Sequence, residues 1–304
     1  MNSSTAQMPN ETPFRRVAIL GTGLIGGSFA LALRSHFPEV AIAGFDRAEV
    51  LAQAVKRGAV QEASADLAGA VRGADLVYIA LPIGAAIESL RAIAAAAATH
   101  ALVTDAGSTK RAVLRAANES FRGDAPFLGG HPMAGKESSG IEHASADLFQ
   151  GMPYALIGSE DAADIRAKRF ADVLRAIGAR PVWCDAETHD WAVAIISHLP
   201  QLASVALSGV VESETDETGL PLSLAGPGLQ DSLRLAGSRY EIWRDILLTN
   251  SDNISRALDR LAQSVEHLRT ILSSKELRAE FQAANRLYGS LRDSTGHSGP
   301  QNRK

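Results

Sequence analysis

The segment VAILGTGLIGGS at residues 17–28 constrains the fold of this chain more than any other segment. A short apolar run leads into glycines at 21, 23 and 26, and a helical stretch follows. In a G-x-G-x-x-G turn the first glycine permits a tight turn, the second lets backbone approach a pyrophosphate, and the third lets helix pack on strand. The helix N-terminus attracts the phosphates. A glycine turn in another kind of α/β sheet is the alternative. The predicted cofactor contacts in this turn are Gly21, Gly23, Leu24, Ile25 and Gly26.

A carboxylate stands at the end of the next predicted strand. Asp46, in AGFDRA, follows Gly26 by twenty residues, the spacing at which an acidic residue hydrogen-bonds the ribose 2′-OH and repels a 2′-phosphate. This favours NAD, whereas the adjacent Arg47 keeps NADP open as a weaker alternative. Leu81 and Pro82 end another strand, where they are expected to lie against the cofactor.

Short β-branched runs alternate with alanine-rich helical runs through the first half of the chain. The predicted strands are RRVAIL, VAIAGF, ADLVYIAL, ALVTDAG, PFLGG and PYALIG. Strands separated by helices indicate βαβ units, so we predict a Rossmann-type α/β domain with a mostly parallel sheet, followed by an all-α domain. The expected limits are a disordered leader at 1–13, a dinucleotide-binding domain at 14–187, a helical substrate-binding and dimerisation domain at 188–292, and a disordered tail at 293–304.

Charge and composition argue against several kinds of partner. The net charge of −4, without a long basic run, disfavours nucleic acid and anionic membrane surfaces. The single cysteine excludes an intramolecular disulfide, and the Cys and His spacing predicts no metal site, so a reducing cytoplasm is expected. The apolar segment 191–211 contains His, Pro, Gln and Ser, which favours a buried helix over a membrane span. Wide apolar arcs on these helices predict a homodimer, with packing on the sheet domain as the alternative.

Five motifs in order resemble the prephenate/arogenate dehydrogenase family of tyrosine biosynthesis. They are GTGLIGGS, DAGSTK at 105–110, HPMAGKESSG at 131–140, SHLPQ at 197–201 and QDSLRLAGSRYEIWRDI at 230–246. The resemblance implies an NAD-dependent oxidative decarboxylation, of prephenate to 4-hydroxyphenylpyruvate or of arogenate to tyrosine.

The resemblance also implies roles for three residues of the first domain. His131 would accept the proton of the ring hydroxyl, a task that suits an imidazole near neutral pH. Without the resemblance, a loop histidine satisfied by backbone would be the simpler interpretation. Ser108 matches the serine that hydrogen-bonds the same hydroxyl, and an N-cap of the following helix is its other use. Glu137 matches a glutamate near the active-site entrance.

Substrate contacts are expected from the second domain. Ser197 and Gln201 are four residues apart, so they share one helix face, and Pro200 bends the helix and frees carbonyls near Ser197 and His198. The resemblance implies that the guanidinium of Arg234 forms two parallel hydrogen bonds with a substrate carboxylate. A salt bridge from Arg234 to Asp231 or Glu241 is the alternative.

One departure leaves the substrate open. Gln201 stands where many members of the family have a second histidine, and its amide suits either the keto group of prephenate or the ammonium of arogenate. Gln230 and Leu233 also replace the more usual Arg and Thr. A β-hydroxyacid dehydrogenase, which needs a lysine in the first long helix of the second domain, and a nucleotide-sensing module are the competing functions.

Overall fold

The computed structural model describes residues 13–121, 126–135, 138–215 and 218–295. The chain divides into two compact units, Met1–Ser251 and Asp252–Lys304. The strands are β1 Arg16–Leu20, β2 Ala41–Phe45, β3 Glu62–Ala63, β4 Leu76–Ile79, β5 Leu102–Asp105, β6 Phe127–Leu128, β7 Gly130–Pro132, β8 Pro153–Ile157 and β9 Arg180–Cys184. Most of them follow the apolar runs of the sequence.

The main sheet has six parallel strands in the order β3-β2-β1-β4-β5-β6. The chain order therefore reverses between β1 and β4, and in open α/β sheets ligands bind outside the carboxyl ends of the strands at such a reversal. This arrangement confirms the predicted Rossmann-type domain. The glycine turn and the ALP segment both follow strands that flank the reversal.

The helices of the first unit are α1 Leu24–His36, α2 Ala48–Lys56, α3 Leu67–Val71, α4 Ile83–Ala96, α5 Arg111–Ser120, α6 Ile165–Ala176, α7 Ala186–Val193, α8 Leu199–Ser213, α9 Leu220–Ser223, α10 Pro227–Leu233 and α11 Tyr240–Thr249. After α11 come α12 Ser251–Thr270 and α13 Leu277–Thr295. No strand follows β9 in the described residues, which confirms the prediction that helices follow the sheet domain. The helix α13 extends three residues into the predicted tail.

Both faces of the main sheet are buried. In β1, Val17 and Ile19 belong to one apolar cluster, and Ala18 and Leu20 belong to a second cluster on the opposite face. Successive side chains of a strand point to opposite faces, so a sheet covered by helices on both sides needs a continuous apolar run. This is why the sequence RVAIL reads as apolar throughout.

A second, smaller sheet has the order β7-β8-β9. β7 is antiparallel to β8, whereas β8 and β9 are parallel. The PYALIG run therefore forms a strand as predicted, but in a separate sheet from the other predicted strands. His131 lies in β7, opposite Ala155 of β8, so the stretch read as a loop has a short strand that fixes its backbone.

The apolar segment of the second half is a continuous helical stretch, Ala186–Ser213, which includes a π-helical turn at Ala194–His198. It is long and apolar enough to cross a membrane by length and composition, with a mean hydropathy of 1.5 in its most apolar window. Only 28% of that window is buried within the chain, so much of the apolar surface of this helix is left uncovered in a single copy. Its exposed side chains include Trp191, Ile196, Val205 and Val210.

Candidate active site

The glycine turn between β1 and α1 is closely packed at Gly21 and Gly26 but has free space beside its backbone at Gly23. Gly21 has a φ of 92°, and a Cβ atom there would lie 2.5 Å from the carbonyl oxygen of Ala80. A Cβ at Gly26 would lie 1.9 Å from the carbonyl oxygen of Gly21, so these two positions exclude side chains. A Cβ at Gly23 would meet nothing within 4 Å. The backbone at Gly23 is therefore the part that a pyrophosphate can approach.

Asp46 lies beside this turn, at the end of β2. The backbone N–H of Thr22 donates to its Oδ2 over 2.6 Å, and the N–H of Arg47 donates to its Oδ1 over 2.7 Å. The carboxylate is half-buried and Arg47 is exposed. Leu24 and Ile25 begin α1, so their N–H groups have no partner within the helix. The contacts expected for a dinucleotide thus share one edge of the sheet.

The other side of the reversal is the N-terminus of α4. Pro82 occupies its N-cap position, directly after Leu81. The N–H of Gly84, in the first turn of α4, donates to Oδ2 of Asp245 over 2.8 Å, and this hydrogen bond lowers the pKa of Asp245. The side chain of Asp245, on α11, therefore fixes the first turn of α4, which follows the carboxyl end of β4 at the strand-order reversal.

A buried ion pair between Lys110 and Asp105 contacts β7, the strand that contains His131. The Nζ atom of Lys110 donates to Oδ2 of Asp105 and, over 2.7 Å, to the carbonyl oxygen of Gly130. Both charged side chains are almost completely buried. Burial lowers the pKa of Lys110, and the charge of Asp105 opposes that change. The pair fixes the backbone directly before His131.

His131 begins a chain of side-chain hydrogen bonds. Its Nδ1 lies 3.0 Å from Nε2 of His189, and Nδ1 of His189 lies 2.8 Å from Oδ1 of Asp190. Asp190 is completely buried and also accepts from the backbone N–H groups of Lys110, over 2.7 Å, and Arg111, over 3.0 Å. We call this set the histidine network: Asp105, Lys110, His131, His189 and Asp190.

The histidine network favours a neutral His131 and an ionised Asp190. Burial holds the pKa of His131 well below its ordinary value of 6.5, and charge on the nearby His189 and Lys110 acts in the same direction. Burial alone raises the pKa of Asp190, but its hydrogen bonds from His189 and from backbone N–H groups outweigh burial, so the net shift is downward. An imidazole that stays neutral at physiological pH is able to accept a proton.

His198 is linked to the histidine network through the side chain of Asn250. The side-chain amide of Asn250 donates to the carbonyl oxygen of Asp190 over 2.7 Å and lies 3.4 Å from Nδ1 of His198. Because Oδ1 of Asn250 accepts from Arg111, the amide presents its NH2 group to His198, whose Nδ1 then accepts. Burial lowers the pKa of His198 to about 4, although Asp190 acts against it.

The predicted bend before α8 is a π-helical turn. The N–H of Leu199 donates to the carbonyl oxygen of Ala194, and Pro200, which has no N–H, follows directly. Ser197 is half-buried in this turn. Gln201 is buried, and its Nε2 donates over 2.8 Å to the carbonyl oxygen of Leu235. The glutamine thus anchors the segment that follows Arg234.

The remaining predicted residues differ in how firmly the structure locates them. Arg234 begins a 3-10 turn, Arg234–Gly237, and is exposed. Ser108 is half-buried before α5, whose N-cap is Lys110, so Ser108 does not have the alternative capping role. Glu137 lies outside the described residues.

Comparisons with known proteins cover both halves of the chain. Residues 29–183 match the family described as "Prephenate dehydrogenase, nucleotide-binding domain", and residues 185–284 match "Prephenate dehydrogenase, dimerization domain". The chain belongs to the prephenate dehydrogenase family. It is 33% identical over 270 residues to the prephenate dehydrogenase of Lactococcus lactis, covering 83% of this chain and 74% of that protein.

Two further members of the family are similar over most of their length. The cyclohexadienyl dehydrogenase of Zymomonas mobilis is 31% identical over 87% of this chain and 91% of that protein. A prephenate dehydrogenase from A. aeolicus, solved with hydroxyphenyl propionate and NAD+, is 26% identical with a TM-score of 0.84, over 95% of this chain and 100% of that one. The boundary between the two family matches lies close to the predicted domain limit at 187, whereas the compact units divide at Ser251; the predicted limits stay a prediction.

The predictions made from the sequence missed most of the histidine network. It gave no role to Lys110 in DAGSTK or to His189 and Asp190 in THDWAV. A signal was present, because a lysine between buried strand and helix, or an Asp next to a His in an apolar helix, needs a partner when buried. The charged partner of Lys110, Asp105, stands in the same motif, but the contacts of Asp190 with Lys110 and of His189 with His131 join residues 80 and 58 apart in sequence.

Proposed function

We propose that this chain catalyses the NAD-dependent oxidative decarboxylation of prephenate to 4-hydroxyphenylpyruvate, with His131 as the proton acceptor. The observation that carries the proposal is the hydrogen bond from Nδ1 of His131 into the protein, since it leaves Nε2 as the nitrogen available to a substrate hydroxyl. Family membership and the glycine turn support the same conclusion.

The residues of the chain divide the work of the reaction. Bound NAD+ supplies the acceptor for the hydride that leaves the ring carbon bearing the hydroxyl. His131 takes the hydroxyl proton at Nε2, and Ser108 hydrogen-bonds the same oxygen. CO2 leaves the opposite ring carbon as the ring becomes a phenolate, which takes a proton back from His131 to give the phenol. Because the product is aromatic, the protein mainly has to align the ring and accept the proton.

The open backbone at Gly23 supports binding of a pyrophosphate, and Asp46 supports NAD over NADP. A side chain at Gly21 or Gly26 would meet backbone, whereas Gly23 faces free space. Asp46 presents its carboxylate beside the turn, where a 2′-phosphate would be repelled. We expect Asp46→Ser to reduce the ratio of kcat/KM with NAD to kcat/KM with NADP. If the unchanged protein instead prefers NADP, Arg47 determines the cofactor preference.

We assign substrate binding to Arg234, Ser197, His198 and Gln201; for Glu137, which lies outside the described residues, the family resemblance alone implies a role. One observation favours arogenate as a second candidate substrate. Because Nε2 of Gln201 donates to the carbonyl of Leu235, the amide oxygen is the group left for a ligand, and no donor to it occurs among the described residues. An acceptor suits the ammonium of arogenate better than the keto group of prephenate.

The exposed apolar side chains support a homodimer. Trp191, Ile196, Val205 and Val210 leave much of the helical stretch 186–213 uncovered, and exposed patches of this kind mark interfaces. The family match over 185–284 bears the description "dimerization domain". With this surface covered by a second copy, the helix needs no membrane, and we expect a cytoplasmic protein. Light scattering after gel filtration tests the dimer, and a monomer at micromolar concentration would contradict it.

The direct test of the function is NADH formation by the purified protein. Prephenate and arogenate are each assayed with NAD+ and with NADP+, and the aromatic product is identified by mass. We expect turnover of prephenate with NAD+, and a comparison of kcat/KM then ranks the two substrates. A folded protein that oxidises neither compound would refute the proposal.

A further inference from the structure

His189 is a second buried histidine, and it lies between His131 and an ionised carboxylate. Its side chain is 3% exposed, and the His131 and His189 ring centroids are 5.1 Å apart with a tilt of 70°. Both ring nitrogens of His189 are engaged, Nδ1 with Asp190 and Nε2 with His131. Because both nitrogens have partners within the protein, the His189 ring has no nitrogen left for a substrate and can act on the reaction only through His131.

The direction of each hydrogen bond follows from Asp190. An ionised carboxylate only accepts, and Oδ1 of Asp190 accepts from the backbone of Lys110 as well. Nδ1 of His189 therefore carries a proton, and in the neutral ring Nε2 is then the acceptor. Nδ1 of His131 must in turn carry a proton and donate to it. The neutral His131 is left with a lone pair on Nε2.

We propose that His189 is a positioning residue that fixes the tautomer of the catalytic histidine, through the chain Asp190 to His189 to His131. Free imidazole exchanges between two tautomers, and the hydrogen bond at one nitrogen decides which is present. The tautomer protonated on Nε2 could not accept the substrate proton. His189 thereby keeps His131 ready as a base and orients its ring. This rests on the proposed role of His131.

The carboxylate of Asp190, the last group in this series of hydrogen bonds, is itself held in place. Oδ2 of Asp190 accepts from the backbone N–H of Arg111 over 3.0 Å and from its Nε over 3.2 Å. These bonds come from the N-terminal turn of α5, whereas Asp190 and His189 belong to α7. The hydrogen bonds that set the two tautomers are thus fixed at the contact between α5 and α7.

Two substitutions of similar shape separate the bond to His131 from the bond to Asp190. In His189→Gln the terminal amide reaches the level of Nε2 and presents an acceptor to His131, but it loses Asp190. In His189→Asn the shorter amide reaches the level of Nδ1 and keeps Asp190, but it loses His131. We expect kcat to fall about 10- to 100-fold in the Asn variant, less than the roughly 10²- to 10⁴-fold effect of the base itself. The Gln variant should retain most of the activity, and KM for NAD should change in neither.

The tautomer is read directly from imidazole 15N chemical shifts, with the His131 signals assigned by their loss in His131→Asn. We expect His131 to be protonated on Nδ1 in the unchanged protein and in His189→Gln, and to shift toward Nε2 protonation in His189→Asn. His100→Gln, at an exposed histidine, is the matched control and should alter neither the tautomer nor kcat.

The outcomes distinguish this inference from the proposed function. An active protein whose His131 is protonated on Nε2, or in which the Asn variant matches or exceeds the Gln variant, would overturn the role of His189 and leave the reaction standing. A protein with His131 protonated on Nδ1 that oxidises neither prephenate nor arogenate would refute the reaction, and the tautomer assignment would stand.

Discussion

The glycine turn and the histidine network are built in opposite ways. The turn takes its geometry from residues close together in sequence, and each glycine has a local steric reason that a motif can express. The histidine network joins β5, α5, β7 and α7, and its bonds connect residues as far as 80 apart. A binding loop can therefore be recognised from a dozen residues, whereas a buried polar cluster depends on the tertiary fold.

The largest expected effect is a loss of kcat when His131, in the histidine network, is replaced. His131→Asn should lower kcat roughly 10²- to 10⁴-fold, because the variant loses a positioned proton acceptor. The affinity for NAD should stay unchanged, since the proposed cofactor contacts lie in the glycine turn and not in the histidine network. Steady-state kinetics and a cofactor-binding titration measure the two effects separately. Near-normal turnover by a folded variant would remove His131 from catalysis.

The stability of the histidine network rests on its buried ion pair. Lys110→Met leaves Asp105 buried without its cation, and breaking such a pair costs about 3–5 kcal/mol of the free energy of unfolding. Chemical denaturation measures this loss. Lys110→Met combined with Asp105→Asn removes the uncompensated charge and should recover part of it. Equal destabilisation in the single and double variants would show that the charge of Asp105 is not the cause.

Arg234 tests whether the second half of the chain binds substrate. Loss of a bidentate arginine–carboxylate pair costs about 2–4 kcal/mol, so Arg234→Ala should raise KM for prephenate roughly 30- to 1,000-fold. Arg234→Lys should not restore it, because an ammonium lacks the planar fork. Arg239→Ala, at another exposed arginine, is the control and should leave KM unchanged. An unchanged KM in Arg234→Ala would make that residue structural.

The smallest expected effect is on the glycine turn. Gly23→Ala places a methyl group where no other atom lies within 4 Å, so the fold should be retained while the methyl group occupies the approach of the pyrophosphate. We expect KM for NAD to rise about tenfold, or about 1.4 kcal/mol, with unchanged Tm. Gly289→Ala, also at an open glycine, serves as the control. An unchanged KM for NAD would mean that the cofactor does not approach Gly23.

The sequence predicted the fold better than the site. The strands of the first half and the change to helices follow from local periodicity, and the glycine turn follows from a local motif; the structure preserves all three. The pattern of PYALIG identified a strand but not the sheet to which it belongs, because periodicity does not specify pairing partners. His189 and Asp190 could not be predicted from the sequence, because their contacts with His131 and with the start of α5 form only in the folded chain.

For the apolar helix, too, the sequence predicted the secondary structure but not the tertiary contacts. Its composition predicted a helix correctly, but the exposure of Ile196 and Val210 depends on what covers them, which composition does not state. The bend before Pro200 was predicted from the missing N–H, whereas the π-helical hydrogen bond from Leu199 to Ala194 could not be specified from sequence.

The pH dependence of kcat/KM for prephenate, measured with NAD+ from about pH 5 to pH 8, tests the central claim most directly. The base must be neutral, and it is neutral above its pKa; burial in the histidine network holds the pKa of His131 well below 6.5. We therefore predict that kcat/KM stays constant down through pH 6.5 and that any decrease begins at lower pH. A decrease centred at or above pH 6.5, or the same acid limb in His131→Asn, would contradict a buried neutral His131 as the proton acceptor.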